Sequence, residues 1–427
     1  MQLPWHRLAT FVNPHLEQLH PYPFEKLRQL FGGVKPNADF NPISLGIGEP
    51  KHPTPAFIQR ALTHHIAGLS SYPSTVGSDA LREAIAHWLQ RRYDVPPLNA
   101  ATMVLPVNGS REALFGIAHC VVDASAPEPL VVCPNPFYQI YEGAAYLAGA
   151  TPYFVNSDPA RNFACDYSSV PAEVWPRVQL LYLCSPGNPT GAILSLDDWK
   201  QLFALADQHG FVIAADECYS EIYHTSAAPL GALEAAHQLG RSGGATPYAN
   251  LIVFSSLSKR SNVPGMRSGF VAGDPALIKK FLLYRTYCGG AMSPPVQAAS
   301  VAAWGDETHV ADNRAKYREK FALVTPMLRQ VMDVELPDAG FYLWADVRRS
   351  GLSDTEFARR LYAEYNVTVL PGSYLAREAH GINPGQNRIR MALVAEVDEG
   401  VEAATRIVQF CQALKQQSFE PPTTTRP

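Results

Sequence analysis

The sequence predicts an α/β fold, a mostly parallel sheet covered by helices on both faces, followed by a smaller α+β lobe. Three observations carry this. Short, mostly apolar, strand-like runs at 103–107, 130–133, 178–184, 211–215, 251–254 and 270–272 alternate with helical patterns. Apolar strands separated by helices imply parallel pairing buried on both faces. From about residue 306 the pattern changes to longer polar helices with three further strand-like runs at 341–347, 367–370 and 388–394. A chain of 427 residues also exceeds the size at which single cores stop growing, so two lobes are expected. The larger is read at 51–305, the second at 306–415, and a disordered tail at 416–427.

Bulk composition narrows the class. Hydrophobic residues make up 47% and charged residues 17%, the balance of a globular protein. A net charge of -4 leaves no basic footprint for nucleic acid. No apolar run reaches the roughly 18 residues a membrane helix needs. The start, Met-Gln-Leu-Pro-Trp-His-Arg, lacks the basic flank and apolar stretch of a signal peptide. Seven cysteines without a C-x-x-C pair fit reduced thiols. A cytoplasmic enzyme is expected.

The elements follow in order. Residues 24–31 form a short amphipathic stretch that Gly32-Gly33 stops. Ile43-Ser-Leu-Gly46-Ile-Gly48-Glu-Pro50 is glycine-broken, as where backbone must approach a neighbour closely, but Pro50 prevents a dinucleotide fingerprint. Leu81, Ile85, Trp88 and Leu89 recur at helical spacing. Ser195-Leu-Asp-Asp198 reads as a helix start, Trp199, Leu202, Phe203 and Ala206 as its apolar face, and Gly210 as its end. A long polar helix is expected at 309–332, another near 354–364, and one more to close the chain.

In a parallel sheet, ligands sit beyond the carboxyl ends of the strands. The residues after each run are therefore the informative ones. Asn108-Gly109-Ser110-Arg111 reads as a glycine turn into a helix N-terminus, where backbone N–H groups favour an anion. Tyr138, after the 130–133 run, could stack on a flat ring or simply pack in the core. Ser185-Pro-Gly-Asn188-Pro-Thr-Gly191 is a rigid turn with one amide, either functional or decorative. Asp216 closes a wholly apolar strand, and a carboxylate there needs a cation, such as a protonated ring nitrogen. Tyr219 could reach the same ring. A metal is the rival partner, but no His/Asp/Glu set at ligand spacing surrounds Asp216. Ser255-Ser256-Leu-Ser-Lys259 places a lysine among hydroxyls, with Arg267 following. Desolvation and a neighbouring cation lower a lysine pKa and make it a Schiff-base nucleophile; the plainer reading is a solvated loop lysine. An anion nest, an aromatic, an amide, an acid and a lysine make up an inventory suited to pyridoxal phosphate.

This combination resembles the class I/II aminotransferases, the fold-type I pyridoxal-phosphate enzymes, over about residues 20 to 415. The resemblance implies a seven-stranded sheet, with residues 1–50 joining the small domain. It implies that Lys259 binds the cofactor aldehyde and later moves the proton between the substrate Cα and C4′. Asp216 would keep the pyridine nitrogen protonated, and Asn188 and Tyr219 would meet the ring's 3-oxygen. Tyr138 takes the stacking position, while Gly109, Ser110, Arg111, Ser256 and Arg267 match phosphate ligands. Tyr72 matches a tyrosine that reaches the neighbouring subunit's phosphate, implying a homodimer with shared sites. Arg390, in Arg388-Ile-Arg390-Met-Ala, matches the arginine that grips the substrate α-carboxylate, near Asn188 and with Gly48 passing close by.

His20-Pro-Tyr-Pro-Phe-Glu-Lys-Leu, Cys133-Pro-Asn-Pro-Phe-Tyr-Gln-Ile-Tyr, the Lys259 turn and Arg285-Thr-Tyr-Cys-Gly-Gly-Ala-Met look like the succinyldiaminopimelate aminotransferases of bacterial lysine biosynthesis. Those enzymes exchange an amino group between N-succinyl-LL-2,6-diaminopimelate and 2-oxoglutarate, with glutamate as donor. Cys288 departs from the histidine of close relatives. Arg285 is the candidate for a distal substrate carboxylate, with an ion pair inside the lobe as its alternative. Another amino-acid aminotransferase or a C–S lyase would share the fold and site. A ligand-sensing regulator would need a DNA-binding module in the roughly 45 residues ahead of Gly48, which are too few.

Overall fold

The computed structural model describes residues 12–419. The chain's first residues, read for a signal peptide, lie outside the described residues, as do 420–427 of the expected tail. Residues 416–419 are described and correct that expectation. They belong to the closing helix Val397–Phe419, which carries the chain four residues further than expected. Its apolar face, including Ile407, Phe410 and Leu414, is buried, and propagation adds one backbone bond per residue to a helix already anchored.

A two-residue strand, β1 (Ile43–Ser44), comes first. Then β2 (Val104–Val107), β3 (Leu130–Asn135), β4 (Thr151–Asn156), β5 (Val178–Cys184), β6 (Val212–Asp216), β7 (Leu251–Ser256) and β8 (Gly269–Gly273) form the seven-stranded sheet, in the order β2-β8-β7-β6-β5-β3-β4. β8 is reversed, pairing antiparallel with β2 on one side and β7 on the other, while the remaining pairs of the sheet are parallel. The apolar runs are explained by two-sided burial. Leu251 and Val253 enter the core on one face, Ile252 and Phe254 the core on the other. The strand that was not expected, β4, pairs only with β3. It carries Pro152, which an edge strand tolerates, and its burial is too uneven to leave an apolar run.

Helices end where their caps indicate. The helix Leu196–His209 starts on a reciprocal Ser195/Asp198 capping box and stops at Gly210, whose φ is 78°. In the second lobe, β9 (Tyr342–Asp346), β11 (Leu370–Pro371) and β12 (Arg388–Ala392) form an antiparallel sheet, while β10 (Val367–Thr368) pairs in parallel with β1. The strand expected at 367–370 is therefore two strands in two sheets. Phe321, Leu343, Phe357, Ile389 and Phe410 pack the core there.

Candidate active site

Three parallel strands of the large sheet end at one edge on Cys184, Asp216 and Ser256, and β2 runs into Gly109 and the helix Ser110–Val121 at the same edge. Because β8 is antiparallel, Arg267, just before its start, arrives there too. The second lobe brings Arg390 from β12. A cleft of about 510 Å³ lies between them, lined also by Gly48, Arg111, Tyr138, Asn188, Tyr219 and Lys259.

Lys259 stands in a one-turn helix, Leu257–Arg260, whose cap is Ser256: the Ser258 amide donates to Ser256 Oγ at 3.1 Å. Lys259 Nζ donates to the Gly48 carbonyl at 2.7 Å. Burial lowers its pKa to about 8, and Arg390 and Arg111 add to the effect against the pull of Cys218 and Glu49. The solvated-loop reading fails, because this amine stands in a helical turn and is largely withdrawn from water.

Asp216 is buried, accepting from the Tyr141 hydroxyl at 2.8 Å and the Cys218 amide at 3.2 Å. Burial raises its pKa, while those bonds and Lys259 hold it down. Among the described residues no ion pair compensates this acid, and no group of three His, Cys, Asp or Glu could hold a metal ion. A cationic ring nitrogen would supply the partner that the protein withholds.

At the other end, Gly109 has φ 85°, and a Cβ there would stand 2.3 Å from the Arg267 guanidinium. Only glycine lets that arginine lie against the turn. The helix Ser110–Val121 has no side-chain cap, so its first N–H groups remain for an anion. Arg267 itself has φ 55° and donates to the Pro264 carbonyl at 2.9 Å. Arg111 Nε donates to the Tyr138 hydroxyl at 2.6 Å. On the substrate side, Arg390 donates to Asn188 Oδ1 at 3.1 Å and the Gly46 carbonyl at 2.9 Å. Its Nε is buried and, among the described residues, unpartnered, an orphan donor that fits a carboxylate. The lining thus fits pyridoxal phosphate: an anion nest at one end, a buried acid without a cation at the other, and a desolvated amine.

Two residues do not join the cleft. Arg285, expected at a distal carboxylate, is buried elsewhere, donating through Nε to Glu112 at 2.9 Å and through a terminal nitrogen to the Pro106 carbonyl at 2.8 Å. An arginine taken out of water must pair, and Glu112 on the adjacent helix claims it. The alternative, an ion pair inside the lobe, is the arrangement found. Tyr72 is fully exposed and does not line its own chain's cleft.

Sequence reading missed Tyr141, although it lies one helical turn beyond Tyr138 and could have been tested as a second aromatic facing Asp216. It also missed Tyr342. That hydroxyl lies 3.1 Å from the Tyr219 hydroxyl, and the ring lies under Arg390 at 4.3 Å. No local signal marks it.

A two-lobed α/β protein whose cleft brings together a desolvated lysine, a buried acid and an arginine with an unpartnered donor has the make-up of an enzyme acting on amino acids. The chain belongs to the class I and II aminotransferases, whose family pattern matches residues 41–404. It is 33% identical over 397 residues to the LL-diaminopimelate aminotransferase of Aquifex aeolicus, covering 92% of this chain and 97% of that one. A crystal structure of an aminotransferase from Neisseria meningitidis is 52% identical with a TM-score of 0.89, covering 93% of this chain and 100% of that one. The probable N-succinyldiaminopimelate aminotransferase of Thermus thermophilus is 26% identical with a TM-score of 0.79, covering 91% and 99%.

Proposed function

We propose that this aminotransferase depends on pyridoxal phosphate and exchanges an amino group between N-succinyl-LL-2,6-diaminopimelate and 2-oxoglutarate, with glutamate as the biosynthetic donor. The observation that carries the chemistry is the Lys259 amine, desolvated to a pKa of about 8 inside the cleft and facing a replaceable backbone carbonyl. When bound, the cofactor supplies an electron sink for the carbon being deprotonated. Lys259 removes the substrate Cα proton and returns a proton at C4′. Asp216, oriented by Tyr141, holds the proton on the ring nitrogen. Ser110, Ser256 and Arg267 take the phosphate, with Arg111 beside them. Asn188 keeps its amide N–H₂ for the 3-oxygen while its oxygen receives Arg390. Tyr219 approaches the same oxygen, and Tyr138 flanks the ring. Arg390 binds the α-carboxylate through a bidentate pair.

We further read the working form as a cytoplasmic homodimer in which Tyr72 reaches the partner's phosphate; the full exposure of Tyr72 supports this. Among the described residues, no helix is long and apolar enough to cross a membrane.

A second substrate is favoured by a specific observation. Curated relatives from Aquifex aeolicus and Dehalococcoides mccartyi, 33% and 29% identical, are named LL-diaminopimelate aminotransferases, and Glu49 lines the cleft, where it could meet the free distal ammonium of that compound. One experiment separates the two. The cofactor-loaded protein is given one amino compound without a keto acid, and the visible band of the lysine-bound cofactor is followed. Discharge by the succinylated compound at low concentration, reversed by 2-oxoglutarate, supports the first reading. Discharge by free LL-diaminopimelate alone moves the assignment to the second. Persistence with both compounds but discharge by glutamate would remove the diaminopimelate reading and leave the aminotransferase; persistence with glutamate as well would remove the transamination reading.

A further inference from the structure

Behind the Lys259 turn lies a buried polar chain to which the chemistry above gives no role. Asn313 and Lys320 stand on the helix Thr308–Arg329, and His52 on the segment that follows Gly48. Asn313 Nδ2 donates to the Lys259 carbonyl at 3.3 Å. Its Oδ1 accepts from Asn262 Nδ2 at 3.0 Å and from His52 Nδ1 at 2.8 Å. His52 Nε2 then meets the Lys320 ammonium at 2.6 Å, and that ammonium also reaches the Val394 carbonyl at 3.4 Å. One proton arrangement satisfies every link. An amide oxygen cannot donate, so His52 carries its proton on Nδ1, and Nε2 accepts from Lys320. Burial accordingly holds the His52 pKa below its ordinary range.

Lys320 is 2% exposed, and among the described residues no carboxylate pairs with it. Glu396 and Glu399 act on it from a distance, opposed by Lys316 and Lys51. A buried ammonium without an ion pair opposes stability, and the neighbouring helix positions Tyr317, Phe321 and Val324 are apolar core. Packing alone does not call for a lysine here. Meanwhile residues 46–54 touch both reacting ends of the cleft. The Gly46 carbonyl holds Arg390, the Gly48 carbonyl holds the Lys259 amine, and Thr54 Oγ1 donates to the Asn262 carbonyl at 2.8 Å.

We propose that His52, Asn313 and Lys320 are positioning residues, a relay that locks residues 46–54 to the Lys259 turn and so places the Lys259 amine. The relay rests on the reading of Lys259 as the reacting amine. That amine must leave the Gly48 carbonyl for other partners during turnover. The relay keeps its backbone end still while its tip moves.

The test uses Lys320→Met, Asn313→Ala and His52→Gln in the cofactor-loaded enzyme. The glutamine can still accept from Lys320 and donate to Asn313. Lys320→Met should melt at or above the wild-type temperature because an uncompensated charge is gone, yet lose about tenfold in kcat. The amino donor's KM should stay within about twofold, and the pH midpoint of the cofactor band should shift. Asn313→Ala should show the same kinetic and spectral change, and His52→Gln should keep most of the wild-type behaviour. Folded Lys320→Met and Asn313→Ala with wild-type kcat and band midpoint would overturn the relay. If Lys320→Met does not fold, Asn313→Ala, which removes the link to the Lys259 carbonyl itself, decides by the same two measures. Lys259→Ala is run alongside, since wild-type turnover there would remove the parent reading instead.

Discussion

Lys259 and Asp216 are opposite cases of one physical effect. Burial makes the amine easier to deprotonate and the acid harder to ionise; the amine is held by the Gly48 carbonyl, and the acid has no ion-pair partner among the described residues. Lys259→Ala should fold but lose the cofactor band and turnover; transamination at the wild-type rate would end the mechanism. The pKa of Lys259 gives a second check in cofactor-free protein. Its reductive methylation, followed by peptide mass spectrometry, should rise with a midpoint near pH 8, well below the roughly 10.4 of exposed lysines. For Asp216 the test is Tyr141→Phe. The lost bond to a buried carboxylate amounts to about 1–3 kcal/mol, read as weaker pyridoxal-phosphate retention by equilibrium dialysis. Lys259, Asp216, Asn188 and Arg267 were legible because each stands at the mouth of an apolar run. Tyr342 was not, because it reaches the cleft from a strand of the other lobe and carries no local mark.

Elements set how closely these residues can approach. A Cβ on Gly48 would fall 1.9 Å from the Tyr342 hydroxyl, which is itself bonded to Tyr219. Gly48→Ala should therefore raise the amino donor's KM at least about tenfold, with partial recovery on adding Tyr342→Phe; an unaffected KM would show that the segment has room to spare. The helix Thr308–Arg329 offers a pH test. Lys320 has a folded pKa of about 8 against an ordinary 10.5, so the folded state binds fewer protons than the unfolded one between those values. Stability must rise with pH across that window. The denaturant-measured advantage of Lys320→Met should be full below pH 8 and shrink as pH climbs toward 10.5. The caps of Leu196–His209 were readable from four residues, whereas the edge strand β4 and the split of 367–370 into β10 and β11 were not. Caps are local chemistry; a strand partner is not, whether it lies in the next strand, as for β4 with β3 and β11 with β12, or at the far end of the chain, as for Val367 with Ile43.

For the whole molecule, Arg285 separates fold from function. Arg285→Leu should lower unfolding stability by about 3 kcal/mol, because it strands Glu112 and the Pro106 carbonyl, while the KM for both substrates stays near wild type. A large KM change with unchanged stability would return Arg285 to the substrate site. The sequence by itself determined the α/β class, the position of most strands along the chain, and the set of groups at their ends. Hydrophobic period, cap chemistry and the polarity of strand mouths are all local along the chain. Tertiary structure alone decided which of those groups meet. It turned β8 against its neighbours so that Arg267 lies against Gly109, swung Arg390 and Tyr342 in from the second lobe, and gave Arg285 to Glu112. Such pairings are settled by burial and charge compensation between residues far apart in the chain, and nothing in the local pattern of a single sequence records them.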